Sequence, residues 1–233
     1  MQQFYHPNID AESASHFFDE QESKHIARVL RKKSGDTIRL TNGKGFFFKG
    51  VLDVLSPKKC VVRLTSHERI ATQSPYVHMA VAPTKNMDRF EWFLEKATEL
   101  GVQRITPILC ERSERKTIKH ERCTKIVVAA LKQSLGVHMP LIDPLTPLED
   151  VQTAALSSYM AHCADLPKKA LKDVVVNQTS ICVLIGPEGD FSNKEINWAS
   201  KKQINSVHLG SLRLRTETAA LVACHTALVL NKS

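Results

Sequence analysis

A chain of 233 residues can fold as one large domain or two modest ones, and either can bury a real core. With 42% hydrophobic and 24% charged residues its composition is that of an ordinary globular protein, which excludes a mainly disordered chain. Lysine and arginine outnumber aspartate and glutamate 32 to 24, and the resulting +8 suits a polyanion such as RNA through phosphate neutralisation. On charge alone a merely basic, solvated surface fits equally well.

Six cysteines stand at 60, 110, 123, 163, 182 and 224, with no CxxC pair and no zinc-ligand spacing. Most lie in apolar runs such as Ile181-Cys182-Val183-Leu184, where buried free thiols are expected, and with them a reducing, cytoplasmic compartment. The segment MQQFYHPNID has no apolar stretch after a basic cluster, unlike a secretory signal. No run approaches the roughly 18 apolar residues of a membrane span. Neither a metal nor a membrane is expected among the partners.

Residues 1–70 read mainly as strand. Thr37-Ile38-Arg39-Leu40 alternates polar and apolar, Asn42-Gly43-Lys44-Gly45 turns, and 46–55 is aromatic and β-branched. Ser56-Pro57-Lys58-Lys59 turns again and 60–64 runs back, which makes a small antiparallel barrel or sheet. One short helix is predicted around 23–32, with Ile26, Val29 and Leu30 on one face and Arg28, Arg31, Lys32 and Lys33 on the other. A solvated face is the simpler account of those charges. The pattern loosens over 66–74, so the domain boundary is placed to give domains 1–72 and 73–233.

Beyond it strands alternate with helices. Residues 76–82, 104–109, 158–162, 181–185 and 206–209 read as strands, and 86–100, 118–134, 192–202 and 216–230 as helices. The first helix carries Phe90, Phe93, Leu94, Ala97 and Leu100 on one stripe and stops at Gly101. Trp92 lies off that stripe, as a second packing face or a subunit contact. Ser192 and Glu195 form a capping box, and 216–230 is apolar nearly all round, as a core or interface helix would be. This alternation predicts an α/β domain with a parallel sheet covered on both faces.

Ligands of such sheets bind beyond the carboxyl ends of strands, and two loops there are distinctive. One is Ile185-Gly186-Pro187-Glu188-Gly189-Asp190-Phe191, whose glycines permit close backbone approach or positive φ. The other is Leu209-Gly210-Ser211-Leu212-Arg213-Leu214-Arg215-Thr216-Glu217-Thr218-Ala219. Neither is a phosphate cradle, so a small organic ligand held by backbone groups fits better than a nucleoside triphosphate. A tight turn explains the first loop taken alone, and helix capping by Thr216 and Glu217 explains part of the second. Capping does not explain two arginines in an otherwise apolar stretch, and the pair of loops is read as a site. His162, at a strand end, could approach it, whereas His225 sits in an apolar helix as a core residue.

LIGPEGDFSNKE followed by LGSLRLRTETAA resembles the signature of the 16S ribosomal RNA uridine N3-methyltransferase (RsmE) family, part of the SPOUT superfamily. The resemblance extends to KNMDRFEWFLEKATELGV, ITPILCERSERK, the KQS before Pro140, and HIARVLRKKSGD. It departs at Gln133-Ser134-Leu135-Gly136, where the family pattern is Gln-Ser-Gly-Arg.

The resemblance implies a SPOUT-type, trefoil-knotted methyltransferase domain preceded by a small PUA-like barrel that binds RNA. It implies a homodimer, S-adenosyl-L-methionine as cofactor, and N3 of a uridine in the 16S rRNA of the small ribosomal subunit as target. By similarity, Leu184, Ile185, Gly186, Pro187, Glu188, Gly189, Leu209, Gly210, Leu214, Arg215, Thr216, Thr218 and Ala219 line the cofactor pocket. Arg215 would hold either the cofactor carboxylate or the uracil oxygens. Glu217 would be the base or the group that fixes Arg215. RNA capture would use Arg28, Arg31 and Lys32 of the small domain, and Arg112, Arg115, Lys132 and Gln133 along a second basic strip.

Overall fold

The computed structural model describes residues 2–72, 74–153, 156–175 and 180–230; Gln73, with which the expected second domain begins, lies outside them. One compact unit comprises Met1–Thr72 with Leu131–Met139, and the other Gln73–Ala130 with Pro140–Ser233.

The first unit contains β1 (Gln3–Tyr5), β2 (Ser15–Phe18), helix α1 (Glu20–Lys24) continuing into a π-helical turn (His25–Val29), then β3 (Thr37–Thr41), β4 (Phe46–Leu55) and β5 (Cys60–Arg69). The strands form one sheet in the order β1-β3-β4-β5-β2, antiparallel except for the β1–β3 pair. Two register shifts in the β4–β5 ladder, at Lys49/Gly50 and Leu52/Val54, let these long strands curl. Phe4, Phe18, Ile26, Leu40, Phe48 and Val62 fill the concave side, each such burial stabilising the fold by about 1.5–3 kcal/mol.

Strands expected at 37–40 and 46–55 are present. β5 runs on to Arg69 because β4 supplies hydrogen-bond partners for its polar half. β1 escaped the sequence pattern because Gln3 is fully buried for a polar reason: its amide donates to the carbonyls of Leu131 (3.3 Å) and Gly136 (2.7 Å). Helix 23–32 needs correction. Ile26 is buried as expected, but Val29 is 67% exposed. The Leu30 N–H reaches the His25 carbonyl (3.0 Å), a widened turn that rotates Val29 off the apolar stripe, and Arg31 at φ 50° ends the helix.

In the second unit the order is β6 (Val77–Val81), α2 (Met87–Leu100), β7 (Arg104–Leu109), α3 (His120–Gln133), β8 (Leu141–Ile142) and β9 (Thr146–Pro147), with the last residues of α3 belonging to the first unit. There follow β10 (Ser157–Ala161), β11 (Lys169–Ala170), α4 (Leu171–Val174), β12 (Ile181–Ile185), α5 (Asn193–Lys201), β13 (Asn205–His208) and α6 (Thr216–Leu230). The sheet order is β11-β13-β10-β12-β6-β7-β8, with β9 beside β7, and every pairing is parallel. This is the expected α/β architecture. β6 and β12 lie side by side at its centre, buried along their whole length, as their unbroken apolar runs require.

α2 begins where the Asn86 side chain accepts the Asp88 N–H and ends on Gly101 at φ 93°, a left-handed cap that glycine takes without Cβ strain. Its stripe buries Phe90, Phe93, Leu94, Ala97 and Thr98, while Leu100 is only half-buried and Trp92 is exposed. α5 carries both halves of the Ser192–Glu195 capping box. α6 packs on α2, β6 and β12, yet leaves Val222, Val229 and Leu230 exposed. Five cysteines are buried and Cys163 is exposed.

The chain runs from β6 to β7 and β8 on one side, then returns to build β12, β10 and β13 on the other. That reversal opens space beyond the strand ends, between loops that leave in opposite directions.

Candidate cofactor and substrate cleft

A cleft of about 560 Å³ opens at the carboxyl ends of β10, β12 and β13, within the range of small-molecule and cofactor sites. Three loops and two helices wall it: His162, Cys163 and Lys168 after β10, 185–188 and Asp190 after β12, 208–215 after β13, Arg89 from the first turn of α2, and Thr216 and Ala219 from the start of α6.

Ten expected cofactor residues come together in this wall: Ile185, Gly186, Pro187, Glu188, Leu209, Gly210, Leu214, Arg215, Thr216 and Ala219. Three do not. Leu184 points into the hydrophobic core under β12. Thr218 is exposed on α6 outside the cleft lining. Gly189 turns outward: a Cβ there would stand 3.2 Å from the Cβ of Arg112, so this glycine makes room for an arginine, not for a ligand. Gly186 is small for a similar reason, because a Cβ would meet the Phe191 ring at 3.1 Å. Of the three glycines in these two loops, Gly210, at φ 140°, is the one whose backbone itself demands the residue.

The acidic residues of the first loop act as fasteners. Glu188 accepts the Lys85 N–H (2.9 Å), tying the loop to the segment between β6 and α2. Asp190 accepts from the Cys163 N–H (2.8 Å) and from Phe191 N–H (2.8 Å). With both carboxylates engaged, Arg89, Lys168, Arg213 and Arg215 make the lining favourable for an anionic group.

Arg215 lines the cleft, and its carbonyl accepts the Ala219 N–H (2.8 Å) to open α6. Glu217 is outside the lining. One of its oxygens lies 3.8 Å from Arg89 Nε, and the other is buried without a hydrogen-bond partner among the described residues. The geometry therefore pairs Glu217 with Arg89, a residue the sequence did not single out. His162 does reach the lining and is 6% exposed. Its Nε2 lies 2.9 Å from Ser206 Oγ. Burial first, and then the charge of Lys168, hold its pKa below the ordinary value against the opposing pull of Asp190. The imidazole is neutral at pH 7. Lys168 is clamped by the carbonyls of His162 (2.8 Å) and Ala164 (2.7 Å).

Of the residues expected to hold RNA, Arg28, Arg31, Lys32, Lys132 and Gln133 belong to the first unit. Arg28, Arg31 and Gln133 are exposed there, whereas Lys132 lies 3.6 Å from Glu22 and 5.6 Å from the Phe4 ring centre. Arg112 and Arg115 belong to the second unit and donate to protein carbonyls: Arg112 to Gly189 (3.0 Å) and Phe191 (3.4 Å), Arg115 to Lys85 (2.6 Å). Leu135, where the family pattern has glycine, takes φ 58°. Among the described residues no group of histidine, cysteine or carboxylate side chains is arranged to hold a metal. No helix among them is long and apolar enough to cross a membrane.

Sequence reasoning missed Arg89, Cys163, Lys168 and His208 in the wall. The one available signal was that a third strand, at 158–162, also ends in a polar loop.

Comparison with known proteins gives a consistent picture. Residues 72–228 match the RNA methyltransferase domain family and residues 18–65 the RNA methyltransferase PUA domain family. The chain is 29% identical to ribosomal RNA small subunit methyltransferase E of Rickettsia conorii over 204 residues, 85% of this chain and 83% of that one. A solved Porphyromonas gingivalis protein, described as a "probable rRNA-methyltransferase", is 38% identical with a TM-score of 0.89 and 98% of each chain covered. The structure of ribosomal RNA small subunit methyltransferase E from Neisseria gonorrhoeae, bound to S-adenosyl methionine, is 26% identical with a TM-score of 0.84, covering 96% of this chain and 95% of that one.

Proposed function

Since this chain belongs to the RNA methyltransferase family, we propose that it is an S-adenosyl-L-methionine-dependent methyltransferase of ribosomal RNA, and that it methylates N3 of a uridine in the 16S rRNA of the small subunit. The observation that carries the reading is the convergence of both signature loops on one cleft with Arg215 in its wall. The cleft fits the cofactor. Its volume suffices, most of its lining residues lie in loops, and its cations, Arg213 and Arg215 among them, suit the carboxylate of a methionine moiety.

When bound, the cofactor supplies an electrophilic methyl group carried on a sulfonium. N3 of uridine holds a proton and is a poor nucleophile until that proton leaves. The chain must orient the base and stabilise the charge that develops on its oxygens. Arg215 takes that role or holds the cofactor carboxylate. Arg89, steadied by Glu217, offers a second guanidinium in the same wall.

The segment 1–72 serves as the PUA-like, RNA-capturing domain and 73–233 as the catalytic domain, knotted as SPOUT enzymes are. Arg28, Arg31, Lys32, Lys132 and Gln133 contribute to capture in the first unit, with Arg112 and Arg115 in the second. The protein works in the cytoplasm as a homodimer. Exposed Trp92 on α2 and exposed Val222, Val229 and Leu230 on α6 support dimerisation, since these two helices pack together and leave apolar surface uncovered.

The test is methyl transfer from labelled S-adenosylmethionine to small ribosomal subunits that lack the modification, with nucleoside analysis of the product. The expected product is 3-methyluridine. Cofactor binding without transfer would refute the substrate, and absence of both would refute the enzyme.

A further inference from the structure

Resting on that reading of the cleft, we propose that Arg112 is a positioning residue for the cofactor loop, acting from outside the pocket through the loop's own carbonyls. The loop 186–191 has two faces. Its inner face lines the cleft through Gly186, Pro187, Glu188 and Asp190. On the outer side the Gly189 and Phe191 carbonyls accept hydrogen bonds from one nitrogen of Arg112, at 3.0 and 3.4 Å. The aliphatic stem of Arg112 lies flat on the loop at Gly189, where an added Cβ would stand 3.2 Å from the Arg112 Cβ and 3.6 Å from its Cδ. Gly189 is thereby explained by its contact with Arg112.

The base from which Arg112 reaches is itself held. The Cys110 N–H donates to Ser113 Oγ (3.0 Å) and the Ser113 N–H to the Cys110 carbonyl (3.1 Å), closing a tight turn after β7. Glu111 N–H donates to Glu195 Oε1 (2.8 Å), while the other oxygen of Glu195 caps α5 through Ser192 N–H (2.7 Å). One carboxylate thus joins the Arg112 turn to the helix that follows the loop. At the far end Arg115 donates to the Lys85 carbonyl (2.6 Å), and the Lys85 N–H holds Glu188 (2.9 Å). The turn after β7 grips the loop directly at Gly189 and Phe191, and indirectly at Glu188. A loop fixed this way presents its inner face ready-made, so binding need not order it. Arg112 has no carboxylate partner among the described residues and is exposed, so its charge remains available to RNA as well.

The experiment compares wild type, Arg112→Ala and Arg112→Lys by calorimetric titration with S-adenosylmethionine, and by hydrogen exchange at 186–191 in the cofactor-free protein. Arg112→Ala should raise the Kd for the cofactor about tenfold, as loss of a charged clamp predicts, and should speed exchange in the loop while β12 exchanges as before. Arg112→Lys, which keeps the charge and one donor group, should recover part of both effects. In turnover, KM for the cofactor should rise in the same order, least for Arg112→Lys and most for Arg112→Ala. A cofactor Kd within twofold of wild type, with loop exchange unchanged, would overturn the proposal, and so would an effect confined to RNA affinity. Faster exchange across the whole sheet, β12 included, would also overturn it by making Arg112 a general stabiliser. Should wild type itself bind no cofactor, the reading of the cleft falls, and exchange in the loop alone decides whether Arg112 braces it.

Discussion

His78 offers a quantitative test of how the sheet interior is wired. It lies fully buried on β6 with Nε2 2.6 Å from Thr106 Oγ1 on β7. Thr106 donates to Asp143, and Arg104 grips the same carboxylate through Nε (2.7 Å) and a second nitrogen (3.2 Å). Burial, then the charge of Arg104, push the imidazole down from 6.5 to about 4, with Asp143 pulling the other way. Above pH 6.5 folded and unfolded chains both hold a neutral ring, and stability does not depend on it. Between 6.5 and 4 the unfolded chain binds a proton that the folded one refuses, so stability falls as pH falls. At about 1.4 kcal/mol per pH unit, the loss between pH 7 and pH 4.5 is about 2 kcal/mol, a sizeable part of the roughly 5–15 kcal/mol that holds a domain together. His16 is also pushed to about 4, by burial and by His6, and titrates in the same window. The assay therefore uses a difference. His78→Gln keeps a polar group near Thr106 but does not titrate. Urea midpoints for both proteins from pH 7.5 to 4.5 should show the wild type losing about 2 kcal/mol more than the variant. Parallel profiles would refute the reasoning, because they would mean that the buried ring accepts its proton without cost.

Four further outcomes follow from the site and the first unit. Arg215→Ala should fold normally, with an unchanged melting curve, yet lose about a hundredfold or more in methyl transfer; a near-native rate would remove Arg215 from the mechanism. Glu217→Gln should lower the rate less than Arg215→Ala and leave the shape of the pH–rate profile intact, because the carboxylate holds Arg89; loss of the profile's acidic limb would make Glu217 the proton acceptor. Reversing Arg28 and Arg31 to glutamate should weaken RNA binding and make log Kd less steep in log salt by roughly 1–2, whereas unchanged binding would return both residues to a solvated face. Leu135→Gly should raise stability by up to about 1 kcal/mol by relieving a left-handed leucine, read as a rise in urea midpoint.

Much of this molecule is written in short-range pattern. The α2 stripe, its Asn86 and Gly101 caps, the capping box of α5 and the apolar run of β12 each depend on residues a few positions apart, so the chain alone determines them. The two signature loops were legible for the same reason, because their glycines, arginines and helix-start residues are contiguous. Strands β1, β2, β8, β9 and β11 were not, since strands of two to four residues are defined by the partner they pair with. Of the third wall of the cleft the sequence offered only His162, as a strand-end residue that could approach the loops. His162 and Lys168 join it only because β10 lies between β12 and β13, an adjacency that local pattern does not encode. Tertiary structure alone also decided which polar groups face the cleft and which are spent on the loops around it. Arg112 grips Gly189 across 77 residues of chain, and Glu188 holds the Lys85 N–H across 103. A glycine that reads locally as room for a ligand, and a glutamate that reads as chemistry, become an arginine's seat and a fastener once backbone carbonyls and amides from distant segments need partners of their own.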